Sequence, residues 1–324
     1  MHANLRQLAE KAGVSIATAS LALRNDPRIA AATRQRLHQL ANEIGYVPSN
    51  LGRALQARRS RLIGYLLSDV TASFYSDVLQ GVGEVAADSN YSVITALAEQ
   101  SAEAELRHLR VFREKRVDGI LVSNISPSSH DTLRRIHATG TPVVMCSSPT
   151  FDDSIPFVII DNREGGAMAA AHLMDLGHRR LAYAFWRDPT EKRFAGAAAA
   201  AASRGLPPPE LCPDRNALAA LLRSATPPTA VIAFSDFLAI DVKHEVEAAG
   251  LCVPDDVSIV GFDDLWFAGL PEFSFTTVAQ PKREIGRLAM QMLLARIEGQ
   301  PVESRRIMPS LVIRGSTRPP KAQP

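Results

Sequence analysis

Thirteen residues near the start of the chain, GVSIATASLALRN from Gly13 to Asn25, hold the side chains best spaced for recognition chemistry. Gly13 and Val14 break a short amphipathic stretch, and Ser15 then stands where its hydroxyl can accept a bond from the open N–H groups of a new helix's first turn. In that helix Ala19 and Leu23 lie four apart on one face, while Ile16, Ala17, Ser20 and Leu21 fall on another. Two short helices meeting at such a turn make a helix-turn-helix, whose second helix lies in a DNA major groove. Thr18 and Ser20 offer hydroxyls there, with phosphate the more natural target for Thr18. Ile16, Ala17 and Leu21 can pack on thymine methyls but cannot fork onto guanine, so groove shape carries more of the readout.

Those side chains need a small scaffold. Asn4 followed by Gln7 reads as a capping box, and Leu5, Leu8, Ala9 and Ala12 recur at helical spacing after it. A third helix is expected over Thr33 to Ile44, with Leu37, Leu40 and Ile44 in one stripe and Gly45 closing it. Pro48 ends this unit. Ser49 or Asn50 can cap a fourth short helix, Leu51 to Ala57, ahead of the cluster Arg58, Arg59 and Arg61. Two turns interrupted by Gly52, which costs about 1 kcal/mol relative to alanine, are too few to stand alone. That segment is expected to order only on DNA with a partner subunit.

The charge is unevenly placed. Residues 1–61 carry ten Lys/Arg against three Asp/Glu, a local charge of +7, while the remaining residues carry 26 against 31, or −5. A small basic head on a mildly acidic body is the electrostatic footprint of a polyanion binder. At 324 residues and 46% hydrophobic content the chain has matter for two or three folded domains. No stretch approaches the roughly 20 apolar residues that span a bilayer, and charges interrupt every candidate signal-peptide core, so the cytoplasm is the expected compartment. Cys146, Cys212 and Cys252 have no disulfide-framework or zinc spacing. The eight histidines lie outside any HExxH, nucleophile elbow or glycine-rich phosphate loop, and His178 reads as a structural residue before a strand. No enzyme activity, metal or cofactor is expected.

From Leu62 the pattern alternates apolar strands with amphipathic helices, the mark of parallel βαβ units. Strands are expected at Leu62–Leu67, Ser92–Ala96, Gly119–Val122, Pro142–Cys146 and Val158–Ile160, with helices at Asp77–Ala87, Ala102–Lys115 and Thr132–Ala138 between the first four. A second set follows: helices at Glu164–Leu176, Glu191–Ser203 and Asp236–Ala249, and strands at Leu181–Phe185, Ala230–Phe234 and Ser258–Phe262. Lys282–Ile297 reads as a helix and Arg305–Ile313 as strand material, before a proline-rich tail expected to fray. Two similar α/β halves imply a cleft between them.

With these parts in this order the sequence resembles the LacI/GalR family of transcriptional regulators over nearly its whole length. The stretches carrying the likeness are NLRQLAEKAGVSIATASLALRN, ATRQRLHQLANEIGYVPSNLGRAL, VDGI (117–120), VIIDNREGG (158–166), LGHRR (176–180), VGFDD (260–264) and TTVAQPKREIG (276–286). The resemblance implies a small all-α helix-turn-helix head and a two-lobed α/β body like a periplasmic binding protein, with parallel sheets. The expected division is a DNA-binding domain at 1–48, a hinge helix and basic linker at 49–61, an N-terminal lobe at 62–161 with 290–324, and a C-terminal lobe at 162–289. It also implies a homodimer, or a dimer of dimers, on a near-palindromic operator, because two-fold protein symmetry demands two-fold site symmetry, and the central CG step usual for the family. Leu55 occupies the position of the leucine that such hinges wedge into the minor groove, flanked by Asn50 and Arg58. Relatives often carry arginine where this chain has Leu21.

The family's effector positions carry over one at a time. Arg193, three before Gly196 in RFAG, matches the arginine of an R-x-x-G element, and Asp263 matches a ligand-binding acid; together they would bracket a polar ligand. Phe74 and Tyr75 match aromatic positions that stack on a sugar face or a base. Asp161 and Ser235 complete the lining, with Asp236 expected to cap the next helix. Trp186 and Trp266 are expected near the cleft rim. The 205–214 stretch is proline-rich and reads as lacking a strand that relatives have. A sugar or derivative is the family's commonest effector. The alternative, a sugar-binding receptor of a transport system, shares the body but not the basic head.

Overall fold

Serine, asparagine and glycine punctuate the head as their local chemistry predicts. The computed structural model describes residues 4–46, 59–67, 73–99, 101–186 and 192–321, and the chain divides into a unit of residues 1–60 and one of 61–324. In the first unit, α1 (Leu5–Ala12) opens with a full capping box, Asn4 Oδ1 accepting from Gln7 N–H and Gln7 Oε1 from Asn4 N–H. Gly13, at φ 65°, closes it in the left-handed conformation. Next come α2 (Ile16–Leu23) and α3 (Ala31–Glu43), the latter starting two residues ahead of the expected Thr33. The head core is Leu8, Ala9, Ala12, Ala19, Ala22, Leu37 and Ala41, alanine-rich where helices meet. The expected helix Leu51–Ala57 lies outside the described residues, as do Asn50, Leu55 and Arg58.

The second unit is two doubly covered sheets. Lobe one holds β1 (Leu62–Leu67), α4 (Ser73–Asp88), β2 (Ser92–Leu97), α5 (Ala102–Glu114), β3 (Gly119–Ser123), α6 (His130–Ala138), β4 (Val143–Cys146) and β5 (Phe157–Ile160). Lobe two holds α7 (Asn162–Asp175), β6 (Leu181–Ala184), α8 (Lys192–Ala202), β7 (Glu210–Cys212), α9 (Arg215–Leu222), β8 (Ala230–Ala233), α10 (Asp236–Ala248), β9 (Ser258–Asp263) and β10 (Thr276–Ala279). The chain then returns through α11 (Lys282–Ile297) and β11 (Arg305–Ile307) to lobe one, and crosses again into β12 (Ser310–Val312). Sheet orders are β11-β5-β4-β3-β1-β2 and β12-β10-β9-β8-β6-β7. Every pairing is parallel except β10 with β12. Strands β3, β4, β6 and β8 are buried throughout, which is why they read as apolar runs rather than alternations.

Three crossings therefore join the lobes, after β5, β10 and β11. This corrects the expected placement of 290–324 with the first lobe. Helix α11 belongs there from Lys282 onward, packing on α4, β3 and β4, while β12 pairs in the second sheet. The 205–214 stretch does hold a strand, β7, beside β6; three residues are too few to show a period. Helix α9 was also illegible by periodicity, although its cap is local: Asp214 Oδ1 accepts from Ala217 N–H at 2.8 Å. The tail does not fray through residue 321. Buried Ser316 donates to Ile259 O at 2.6 Å and accepts from Thr276 N–H at 2.8 Å, and Lys321 pairs with Asp256.

One packing device recurs in both lobes. A Cβ on Gly166 of α7 would lie 1.8 Å from Arg193 O, and one on Gly196 of α8 would lie 1.8 Å from Arg163 O. In lobe one the same reciprocity links Gly81 of α4 to Arg283 O and Gly286 of α11 to Val78 O, at 2.0 Å each. Each glycine thus faces the carbonyl three residues before its partner glycine. Nothing larger than hydrogen fits at either crossing, so the glycine of RFAG has a packing duty separate from its arginine.

Candidate functional site

The head presents one helix outward. Ser15 caps α2, its Oγ accepting from Thr18 N–H at 3.0 Å, and its hydroxyl also bonds Thr18 Oγ1 at 2.9 Å. Thr18 is thereby held beside the helix start. Ile16 is 50% exposed, Ala17 is exposed, and Ser20 and Leu21 are half-buried. On the opposite side Ala19 and Ala22 are fully buried, with Leu23 packed on the head core. Leu21 is not among the side chains packed there. Asn25 turns the chain at φ 57°, and Arg28 forks onto Asp26, Nε to Oδ1 at 2.9 Å and an Nη to Oδ2 at 2.8 Å. That fork and the Arg28 N–H bond hold the Asp26 carboxyl down to about 2.

In the body the chemistry gathers where strands end. Ligands of open parallel sheets bind beyond the carboxyl ends of the strands, and both lobes place polar groups there. In lobe two, Arg193 lies on α8, and its guanidinium is 3.7 Å above the Phe262 ring and 4.5 Å from that of Phe234. Its Nε donates to Asn162 Oδ1 at 2.8 Å, a second donor reaches Phe234 O, and Asp263 Oδ1 stands at 4.0 Å. The two side chains are only 11% and 14% exposed. Asp263 ends β9 at φ 103°, and Asp264 follows at φ 50°. Non-glycine residues adopt such backbone at a cost of order 1–3 kcal/mol and hold it where surroundings over-determine it. Here Lys282 Nζ donates to Asp263 O at 2.6 Å and Asp264 O at 2.7 Å, and Gln280 Nε2 donates to Asp263 Oδ1. Lys282 is 8% exposed and also faces Asp77 of α4 at 3.6 Å, so one ammonium touches both lobes.

The expected cap assignment at 235–236 is reversed. Ser235 caps α10, its Oγ accepting from Leu238 N–H at 3.2 Å. Asp236 is fully buried, accepting from Thr277 Oγ1 at 2.6 Å and from Leu265 N–H at 2.7 Å. Burial first, and the Asp263 charge second, push its carboxyl up to about 7. Asp161 likewise caps a helix, α7, accepting from Glu164 N–H at 3.0 Å. Both caps still sit at strand ends, beyond β8 and β5.

Apart from Lys282 and Asp77, lobe one contributes neutral groups. Tyr75 is buried in the core, its hydroxyl accepting from Asn124 Nδ2 at 3.1 Å, and Phe74 meets it edge-on at 5.1 Å. Ser148 Oγ accepts from Asn124 N–H at 3.1 Å. Ser147, at φ 60°, has a buried hydroxyl that makes no well-formed hydrogen bond among the described residues, only a weak one with the Cys146 thiol. Asn124, Ser147 and Ser148 follow strands directly, which is the signal by which the sequence could have yielded them. Trp186 packs on the second core with Arg215 over its ring, whereas Trp266 is 73% exposed. Among the described residues no group of three metal-ligating side chains occurs, and no helix is long and apolar enough to cross a membrane.

A capped, outward-facing α2 on a basic head, joined in one chain to a two-lobed body, has counterparts. Residues 4–49 match the model of bacterial regulatory proteins of the lacI family, and 170–317 match the periplasmic binding protein-like domain. The HTH-type transcriptional repressor CytR of Escherichia coli strain K12 is 32% identical over 98% of this chain and 96% of its own. The chain belongs to the LacI family. Its relatives are transcriptional repressors and regulators, and it is a DNA-binding transcriptional regulator rather than an enzyme. Among solved structures, the lac repressor bound to ONPG in its repressed state superposes at a TM-score of 0.85 with 25% identity, covering 98% of this chain and all of that one. The regulator CelR in complex with cellobiose gives 0.70 with 26% identity over 97% and 100%.

Proposed function

We propose that this LacI-family regulator is a cytoplasmic homodimer that represses from a near-palindromic operator with a central CG step, and that a small polar ligand between its lobes sets operator affinity. The ligand class is a sugar or sugar derivative. The observation that carries this reading is the pairing of Arg193 with Asp263, the guanidinium seated on the buried Phe262 ring: donors and an acceptor converge on one polar space while Phe234 offers an exposed apolar face. Neutral Asn124, Ser147 and Ser148 suit hydroxyls on the other side. CelR, which shares the fold, forms a complex with cellobiose. Coupling follows from linkage, since a ligand shifts the head only through its different affinities for open and closed bodies.

Gel retardation of the promoter beside the chain's own gene tests this, run at two salt concentrations with ribose, cellobiose and other sugars. Specific retardation that weakens with salt and changes with one sugar is expected. Retardation that no sugar changes overturns the effector half. Sugar binding without any retardation overturns the DNA half and favours a transport receptor.

A further inference from the structure

We propose that Arg24 is the residue through which this protein reads guanine, and that the readout is built by folding its guanidinium back along α2 onto Ser20. This rests on the reading of the chain as an operator-binding repressor. The outward face of α2 carries Ile16, Ala17, Ser20 and Leu21, and none of these can pair a guanine edge bidentately; that task needs the planar fork of arginine on the O6 and N7 acceptors. Arg24 stands immediately after α2 and is exposed. It lies four residues beyond Ser20, on the same face, and one of its Nη groups donates to Ser20 Oγ. Side chains of a helix lean toward its N-terminus, so this bond carries the guanidinium one turn back, over the part of the helix that enters the groove.

The other arginines of residues 4–46 are committed elsewhere. Arg6 pairs with Glu10 and Arg28 with Asp26, Arg34 donates to Asn25 O at 2.9 Å, and Arg36 donates to Ala12 O. Arg24 alone among them is held by a hydroxyl on the outward face. A serine neither neutralises the guanidinium nor uses up its donors. It leaves the NH1 group and Nε–H available while removing part of the rotamer freedom that binding would otherwise cost.

The test is affinity selection by the full-length protein from a randomised double-stranded DNA library, with wild type, Arg24→Ala and Arg24→Lys in parallel. The wild type is expected to select a symmetric motif with guanine at one position per half-site. Both variants are expected to lose the preference at that position alone, by roughly ten- to hundredfold, because lysine keeps the charge but not the fork. Placing 7-deazaguanine there removes the N7 acceptor and should weaken the wild type but not Arg24→Ala. Thermal melting confirms that the variants are folded. An unchanged motif in Arg24→Ala overturns the proposal, whether affinity is unaltered or falls equally for all sequences with a salt slope smaller by about one, the signature of a phosphate contact. A wild type that selects no motif overturns the operator reading as well.

Discussion

The two lobes share a packing device and differ in what they bring to the cleft. Each crosses a helix pair on reciprocal glycines, α4 with α11 through Gly81 and Gly286, and α7 with α8 through Gly166 and Gly196. Beneath the strand ends, however, lobe one closes with a neutral chain in which the Tyr65 hydroxyl bonds Ser123 Oγ at 2.8 Å and Ser123 donates to Cys146 O at 2.6 Å. Burial pushes the Tyr65 hydroxyl and the Cys146 thiol upward, so nothing there ionises near neutral pH. Lobe two instead buries Asp236 beside Asp263 and Arg193. The scaffold is thus duplicated while the free charge is not: lobe one's Lys282 is spent on the Asp263 and Asp264 carbonyls and on Asp77, so capture of a polar ligand falls to lobe two, with lobe one completing the hydrogen bonds on closure.

The shared part is the easier to break. Gly196→Ala and Gly286→Ala each press a methyl onto a backbone carbonyl, which must move because no flexible side chain can yield. Each should cost about 3 kcal/mol or more, at the upper end for overpacked sites, and chemical denaturation should return similar losses for both. A large loss at one crossing and none at the other would show that the likeness is geometric only. Gly83, on α4 with nothing within 4 Å of an added Cβ, is the internal control, where alanine should be neutral or stabilising.

The charged part differs in its response to pH. Asp236 titrates near 7 in the fold and near 3.9 in an unfolded chain. The folded state therefore holds the proton more tightly, its stability is greatest below the unfolded value, and it is lost as pH rises toward 7. Between pH 5 and 7 this contribution should decline by up to about 1.4 kcal/mol per unit, against the opposite slope of His137, His172 and His178, whose pKa burial lowers, so melting of the wild type is compared with that of Asp236→Asn. Asp236→Asn should remove most of that slope. A slope left unchanged by Asp236→Asn would mean that the bonds from Thr277 and Leu265 hold the carboxylate ionised against burial. Ligand binding should divide the same way. Arg193→Ala should weaken the sugar that answers the panel by roughly ten- to hundredfold, since bonds to a charged group contribute about 1.5–3 kcal/mol, and Asn124→Ala by only a few-fold in calorimetry. Equal losses would erase the division of labour.

What could be read from the sequence depended on how local the cause was. Ser15 and the Asn4–Gln7 box act within one turn, so α1 and α2 stand where residue types put them. The long apolar runs of the central strands needed only burial on both faces. Strand β12 did not announce its sheet, because three residues after a crossing pair with whichever edge the other crossings leave open. Ser235 and Asp236 are both capping types side by side, and which of them faces the helix start is decided by Thr277 and Leu265, far along the chain. Asn124 and Ser147 were legible only as residues after strands. Their place in the cleft depends on Tyr75 and Ser148, which the sheet brings together.

The smallest effect tests the sharpest claim about lobe one. Ser147 buries a hydroxyl whose one polar contact among the described residues is a weak bond with the neighbouring Cys146 thiol, and a buried polar group so poorly satisfied costs up to about 1–3 kcal/mol. Replacing it by alanine removes that burden and little packing, so Ser147→Ala should leave the unliganded body equally stable or raise its melting temperature by a degree or two. If the hydroxyl awaits a ligand, the same change must also weaken sugar binding, and the gain in stability and the loss in affinity should appear together. Stability without loss of affinity would make Ser147 a packing accident and leave Asn124 and Ser148 to complete the site. Loss of both would mean that the hydroxyl already holds the φ 60° turn, and lobe one would then be shaped by its backbone rather than held in readiness for a ligand.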